Sequence, residues 1–150
     1  MIFRVINEAA AAYEGVIPDD CYRTPYMSVE ELDREMSTMT FYGYWKDGEL
    51  VGVMGIQTFS EVTLIRHSYV QPEHQRKGIG STLLNHLLRI APTARVLVGT
   101  WRDAGWAIRF YRKHAFKLLP DSDRLLRRYW SIPDRQIQTS VVLGRTLEKS

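Results

Sequence analysis

Cysteine occurs once in this 150-residue chain, at Cys21, which excludes an internal disulfide and any cysteine-rich metal centre. Cys21 reads as a small packed side chain rather than a nucleophile, because no local motif puts a basic partner beside it. Long apolar runs are missing too: each is broken by charge or glycine well short of the roughly 20 residues that a spanning helix needs. The N-terminus lacks a basic segment leading into an apolar one, so the protein is expected to be cytoplasmic, with no membrane partner. Charge of one sign is also in short supply. The net charge of +3 comes from scattered basic residues, which suits a small anionic ligand and is too mild for nucleic acid. No two histidines have the i, i+4 spacing of a zinc-binding helix, and His74 and His86 lie 12 positions apart, so no metal is expected.

What is present fits one domain over residues 1–150, long enough to bury a real core and free of linkers and repeats. Ile2 to Ile6 reads as a first strand, and Asn7 as the cap of an Ala-rich helix that runs toward Ile17 and ends at Pro18. Ser28-Val-Glu-Glu31 is a capping box that opens a second helix to about Met36. Aromatic and β-branched residues flank Asp47-Gly48, a pair that accepts a type I′ turn, so a β-hairpin is expected over 41–59. Val62 to Val70 extends it into a meander. Ile79, Leu83, Leu84, Leu87 and Leu88 then share one face of a helix, with Asn85, His86 and Arg89 on the other. A strand at Ala94 to Trp101, a helix at Trp106 to His114, a short helix near Asp121 to Tyr129 and a strand at Gln138 to Leu143 complete the pattern. Strand, helix and strand in that order make a parallel unit, so a mixed α/β sheet covered by helices is expected.

The stretch VQPEHQRKGIGSTLL, from Val70 to Leu84, enters its helix through two glycines. A helix start leaves backbone N–H groups without partners and carries partial positive charge, which together suit an anion. Gly78 and Gly80 remove Cβ atoms that would hold a diphosphate away from that backbone, and Arg76 and Lys77 add full charges. A Walker loop is ruled out, because Lys77 precedes the glycines and Gly80 leads directly into Ser81. A dinucleotide fingerprint fails at its third glycine, where Leu83 stands.

The pattern that remains is Gln75-Arg-Lys-Gly78-Ile-Gly80 behind Val70-x-Pro72, and it resembles the acyl-CoA motif of the GNAT superfamily of N-acetyltransferases. Downstream, Trp106-Ala-Ile-Arg-Phe-Tyr111-Arg-Lys-His-Ala-Phe116 is similar to that family's Ala-x-x-Phe-Tyr-x-x-x-Gly-Phe. The order of elements agrees over nearly the whole chain. The resemblance implies a GNAT-like acyl-CoA N-acyltransferase fold, in the order β-α-α-β-β-β-α-β-α-β with room for one more strand. It also implies acetyl-CoA as co-substrate, transfer of its acetyl group to a primary amine by direct attack in a ternary complex, and no metal. Cofactor contacts would come from Tyr69 and Val70 at the strand end and from Gln75, Arg76 and Lys77 in the turn. Gly78, Ile79, Gly80 and Ser81 at the helix start, and Phe110 with Tyr111, would supply the rest. Tyr111 matches the family tyrosine that points at the cofactor sulfur, where a phenol acts as general acid. Backbone N–H groups near Val70 would stabilise the tetrahedral intermediate. Two positions depart from the pattern: Ala104 replaces an asparagine that bonds the pantetheine arm, and Ala115 replaces a glycine, so the helix exit must avoid positive φ or strain an alanine.

An ammonium acceptor must also lose a proton, and His67 and Glu61 are the candidate bases. Strand alternation puts His67 on the face of Tyr69, opposite Ser68 and Val70, unless a bulge intervenes. His67 reads equally as a half-buried strand residue, and Glu61 as a solvated charge. Without an assigned base, a second reading stands: a non-catalytic acyl-CoA sensor or interaction module on the same fold. A nucleic-acid reading would rest on Arg124, Arg127, Arg128 and Arg135, which are expected to be solvated or paired with acids instead. The tail around Leu125 to Pro133 is read as a cover for the acceptor cleft or as a homodimer surface, with Tyr129 and Trp130 as packing anchors. Trp45, Trp101 and Trp106 are expected to pack, with acceptor lining as the alternative. The acceptor itself is a small-molecule or peptide amine.

Overall fold

A computed structural model describes residues 1–22 and 25–148. Its first element corrects the sequence reading: Ile2–Ala10 is a helix, α1, and no strand forms at Ile2 to Ile6. A strand would send the neighbours Val5 and Ile6 to opposite faces, whereas Val5, Ile6, Ala9 and Ala10 are all buried, one helical turn apart. Asn7 therefore caps nothing. Its amide nitrogen donates to the carbonyls of Phe3 (2.9 Å) and Met27 (3.0 Å), and its Oδ1 accepts from the Met27 N–H (2.9 Å). The helix also stops short of Ile17, passing through a 3₁₀ turn at Ala11–Tyr13 into Gly15, which turns the chain at φ 84°. Helix α2, Val29–Thr38, begins as expected, with the Ser28 hydroxyl accepting from the Glu31 N–H at 3.1 Å.

Strands β1 (Thr40–Lys46), β2 (Glu49–Thr58) and β3 (Val62–Val70) form the antiparallel meander. Asp47 (φ 51°) and Gly48 (φ 81°) both lie in the left-handed region that a type I′ turn demands. After helix α3 (Ile79–Ile90), strand β4 (Arg95–Trp101) pairs parallel to β3. Helix α4 (Gly105–Lys113) and the two-residue β5 (Lys117–Leu118) follow, then α5 (Ser122–Tyr129), α6 (Asp134–Gln138) and β6 (Ser140–Thr146). Helix α6 was not expected, and it takes up Gln138, so the last strand starts later than predicted and reaches Thr146. The six strands lie in the order β1-β2-β3-β4-β6-β5.

Leu64 and Ile65 alternate along β3, as do Leu97 and Val98 along β4, and this sorts the core into two layers. On one face Ile65 and Val98 pack with Leu84 and Leu87 of α3 and Tyr111 of α4. On the other, Leu64 and Leu97 meet Leu125, Leu126 and Ile137 of the tail, while Leu50 and Val53 of β2 meet Val5 and Ile6 of α1.

The sheet opens at its centre. The β3–β4 ladder runs from Val62↔Arg95 to Ile65↔Val98 and stops there. Beyond that point β3 stays with β2 as far as Val70↔Gly52, and β4 stays with β6 as far as Trp101↔Ser140, so the two strands diverge into a V. A bulge in β3 begins the divergence. Between the pairs Gly55↔Arg66 and Val53↔Tyr69 β3 carries one extra residue, and His67 absorbs the kink at φ 54°. Gly55 makes room for it, because a Cβ there would come within 3.0 Å of the Arg66 carbonyl oxygen.

Candidate active site

A cleft of about 870 Å³ fills the V, with Ser68, Tyr69 and Val70 on the β3 arm and Gly99, Thr100 and Trp101 on the β4 arm. The turn quoted above forms its mouth. Gln75 closes this turn by donating from its side-chain amide to the Val70 carbonyl at 3.1 Å, and Arg76 (φ 64°) and Gly78 (φ 79°) both take left-handed conformations. No side chain caps α3 and no acid lies in its first turn, so the N–H groups of Ile79, Gly80 and Ser81 stay available to an anion.

The two glycines serve different ends. Gly78 is required by its φ, and a Cβ on it would meet nothing within 4 Å, so the space outside is open. A Cβ on Gly80 would meet the Phe110 ring at 3.4 Å, an ordinary contact distance, so this position faces α4 rather than open space. Ser81 ties the same two helices, its hydroxyl 3.0 Å from Nε2 of His114. Arg76 lines the cleft; Lys77 is exposed and stands outside the lining. Lys113, at the end of α4, does line it. Nothing in the sequence marked it, since only the packing of α4 beside α3 carries it there. Ala104 is fully buried at the α4 cap, and Ala115 adopts φ 70°, so the helix exit strains an alanine where glycine would relax.

Tyr111 is brought into the cleft although only 5% of its surface is exposed. Burial pushes its phenol up to about 12, against a smaller opposing effect of the hydrogen bond with Ser68. Three more phenols gather beside it. Burial raises Tyr13 and Tyr69 as well, and the mutual influence of Tyr13, Tyr26, Tyr69 and Tyr111 adds to it. Rings pack edge to face between Tyr13 and Tyr69 (6.3 Å) and between Tyr26 and Tyr69 (6.4 Å), and Tyr13 also meets Trp106 at 5.0 Å.

The two candidate bases part company. His67 lines the cleft, and its ring stacks on Phe41 at 5.9 Å with Nε2 3.4 Å from Oε1 of Glu35. Arg66 Nη1 reaches the other oxygen of Glu35 at 3.8 Å and Gln57 Oε1 at 3.2 Å. Strict alternation would forbid consecutive residues from sharing Glu35; the bulge permits it. The close approach of the His67 ring nitrogen, then the charge of Arg66, hold the Glu35 carboxyl below its ordinary range against partial burial. Glu35 carried no signal in the sequence, because α2 and the bulge meet only in three dimensions. Glu61 sits at the opposite end of β3, outside the cleft lining, where Tyr129, Arg128 and Ser60 bond it. Hydrogen bonds from Ser60 and Tyr129 pull its carboxyl down to about 2, unsuited to taking up a proton near neutrality.

The tail supplies a further wall through Leu126, Trp130, Ile132 and Gln136. The Trp130 indole lies so near Gly99 that a Cβ there would come within 3.2 Å of it. Each of the four tail arginines has a carboxylate partner: Arg124 with Asp121, Arg127 with Asp134, Arg128 with Glu61 and Arg135 with Asp20. Trp101 and Trp106 line the cleft, whereas Trp45 is exposed elsewhere on β1, and Cys21 is half-buried. Among the described residues no cluster of His, Cys, Asp and Glu is placed to hold a metal, and no helix is long and apolar enough to cross a membrane.

A model of the acetyltransferase (GNAT) family matches residues 3–116. Among solved structures, the chain is similar to the PaiA N-acetyltransferase of Thermoplasma acidophilum in complex with coenzyme A. The TM-score is 0.72 at 20% identity, over 97% of this chain and 90% of that one. It is similar also to a GNAT family acetyltransferase of Elizabethkingia anophelis with acetyl-CoA bound, at TM-score 0.65 and 20% identity over 80% of this chain and 84% of that one. A Bacillus subtilis acetyltransferase in complex with CoA gives TM-score 0.65 and 23% identity, over 81% and 85% of the two chains.

Proposed function

Since the chain belongs to the GNAT family of acetyltransferases, we propose that it moves an acetyl group from acetyl-CoA to a primary amine within a ternary complex. The observation that carries this reading is the V between β3 and β4, which ends under an uncapped helix start and holds Tyr111. The residues present fit acetyl-CoA. The free N–H groups of Ile79, Gly80 and Ser81, with Arg76 and Lys113, would hold the diphosphate, and the open space outside Gly78 lets it approach. Lys77, exposed nearby, adds charge at longer range. Phe110, Tyr69, Ser68 and Val70 would line the path of the arm toward the thioester. Bound there, acetyl-CoA supplies an activated acyl carbon and a thiolate leaving group.

The amine nitrogen attacks that carbon; a C–N bond forms, the C–S bond breaks, and the nitrogen gives up a proton. The proton's route is His67, directly or through water, because it is the candidate base that lines the cleft, with Glu35 holding its ring on the far side. Tyr111 serves the leaving sulfur. A thiol has an ordinary pKa near 8.5, well below the phenol at about 12. Tyr111 thus stays protonated and donates a hydrogen bond to the developing thiolate rather than surrendering its proton outright. Backbone N–H groups on the edge of β3 that β4 leaves unpaired, near Val70, would meet the oxyanion.

Binding and turnover test this separately. Calorimetry with CoA reads the first, and release of CoA from acetyl-CoA across a panel of amines reads the second. Turnover with at least one amine is expected. CoA binding without turnover on any amine would favour an acyl-CoA sensor on the same fold.

A further inference from the structure

The carboxylates of this protein avoid the cleft. Among the described residues no Asp or Glu lines it, and its ionic residues besides histidine are Arg66, Arg76 and Lys113. The nearby acids are engaged behind the lining: Glu8 accepts from Gln71 at 2.8 Å, and Glu35 faces Arg66 and His67. Away from the glycine turn the wall mixes the polar Ser68, Thr100, Gln136 and Ser140 with a group of aromatic rings. Tyr13, Tyr26, Tyr69 and Trp106 form one connected group of rings, and Trp130 with Ile132 presents apolar surface from the tail. Ala9, Ala12 and Ala107, with their short side chains, line the same cleft.

Resting on the acetyltransferase reading above, we propose that the acceptor is a monoamine on a flat apolar body, an arylalkylamine, and that Tyr26 and Trp130 determine this specificity. Ring faces and alanine methyls gain from covering an aromatic body, and the ring faces attract a single ammonium through their π electrons. A second ammonium, as in a polyamine, would be desolvated beside Arg66 with no carboxylate to receive it, and such a charge is costly to bury. The cleft therefore selects against polycations by what it lacks and for aryl groups by what it contains.

The full chain is assayed with acetyl-CoA and three amines: 2-phenylethylamine, tryptamine and spermidine. CoA release is followed in each case, and CoA binding is measured by calorimetry. The expected kcat/KM for both aryl amines exceeds that for spermidine by about tenfold or more. Trp130→Ala and Tyr26→Ala each raise KM for 2-phenylethylamine about tenfold with the Kd for CoA unchanged, and Trp130→Phe restores most of the loss. Faster turnover of spermidine, or aryl-amine KM values that neither alanine variant moves, overturns the proposal and leaves the acetyltransferase reading standing. CoA binding with no turnover of these three amines overturns this proposal, and the same result across the whole amine panel overturns both.

Discussion

Over Val62–Ile65, β3 is hydrogen-bonded to a strand on each edge; over Arg66–Val70 it keeps β2 and loses β4. The first half is sealed, and its side chains Val62, Leu64 and Ile65 are at most 1% exposed. The second half turns a backbone edge toward the cleft, and its five residues line it and are partly exposed. One strand thus serves stability with one end and chemistry with the other, and the bulge at His67 marks the border. The contrast teaches where to expect damage: to folding below the border, to turnover above it.

The largest effect is expected below it. Leu64→Ala removes a fully buried side chain between β3 and the tail helices, and should cost about 2–5 kcal/mol in urea denaturation. Folded Leu64→Ala should still bind CoA with unchanged Kd; a parallel loss of affinity would erase the border. In the cleft that the open half lines, Tyr111→Phe removes a hydrogen-bond donor to the developing thiolate and should lower kcat about a hundredfold with the urea midpoint and the Kd for CoA nearly unchanged. Intact turnover would remove the phenol from the chemistry. A smaller change of opposite sign is expected just past α4. Glycine at Ala115 relieves the strain of φ 70°, less the entropy of the added glycine, so Ala115→Gly should gain up to about 1 kcal/mol in thermal unfolding.

The smallest effect concerns the bulge and depends on pH. Glu35 has a lower pKa in the folded protein than its ordinary 4.5, chiefly through the His67 ring nitrogen beside it. The stability it lends is complete above 4.5 and is lost as pH falls through the lower folded value. Glu35→Gln should therefore separate from the wild type in urea midpoint near neutral pH, and the two curves should converge in acid. A gap independent of pH would mean that packing, not charge, anchors the bulge.

Local chemistry made much of this legible. Asp47-Gly48 needs two positive φ angles, Ser28 needs an N–H three residues on, and the glycines of the turn announce a helix start without a side-chain cap. These signals act within a few residues, so the meander, α3 and the cofactor side of the cleft could be read directly. Where the deciding contact is remote, the reading failed. Ile2 to Ile6 looked like a strand because its apolar residues do not reveal that β2 will bury Val5 and Ile6 together. The face of His67 stayed open to a bulge in the sequence, since the bulge depends on Gly55 across the ladder. Even the glycine motif was half understood, because Gly80 faces Phe110 of another helix. The acceptor wall was the least legible part, being gathered from α1, α4 and the tail.

Strand β6 lies beyond the part of the chain that the family model matches, yet it pairs with every residue of β4 from Arg95 to Trp101. A chain cut after Phe116 would keep both glycine-turn and tyrosine motifs and lose that cover. Its β4 would then present a full-length naked edge carrying Val96, Leu97 and Val98, a template for pairing with another copy. Colloidal behaviour, rather than catalysis, is what the final strand protects first, and a shortened version would be expected to precipitate before its chemistry was ever assayed.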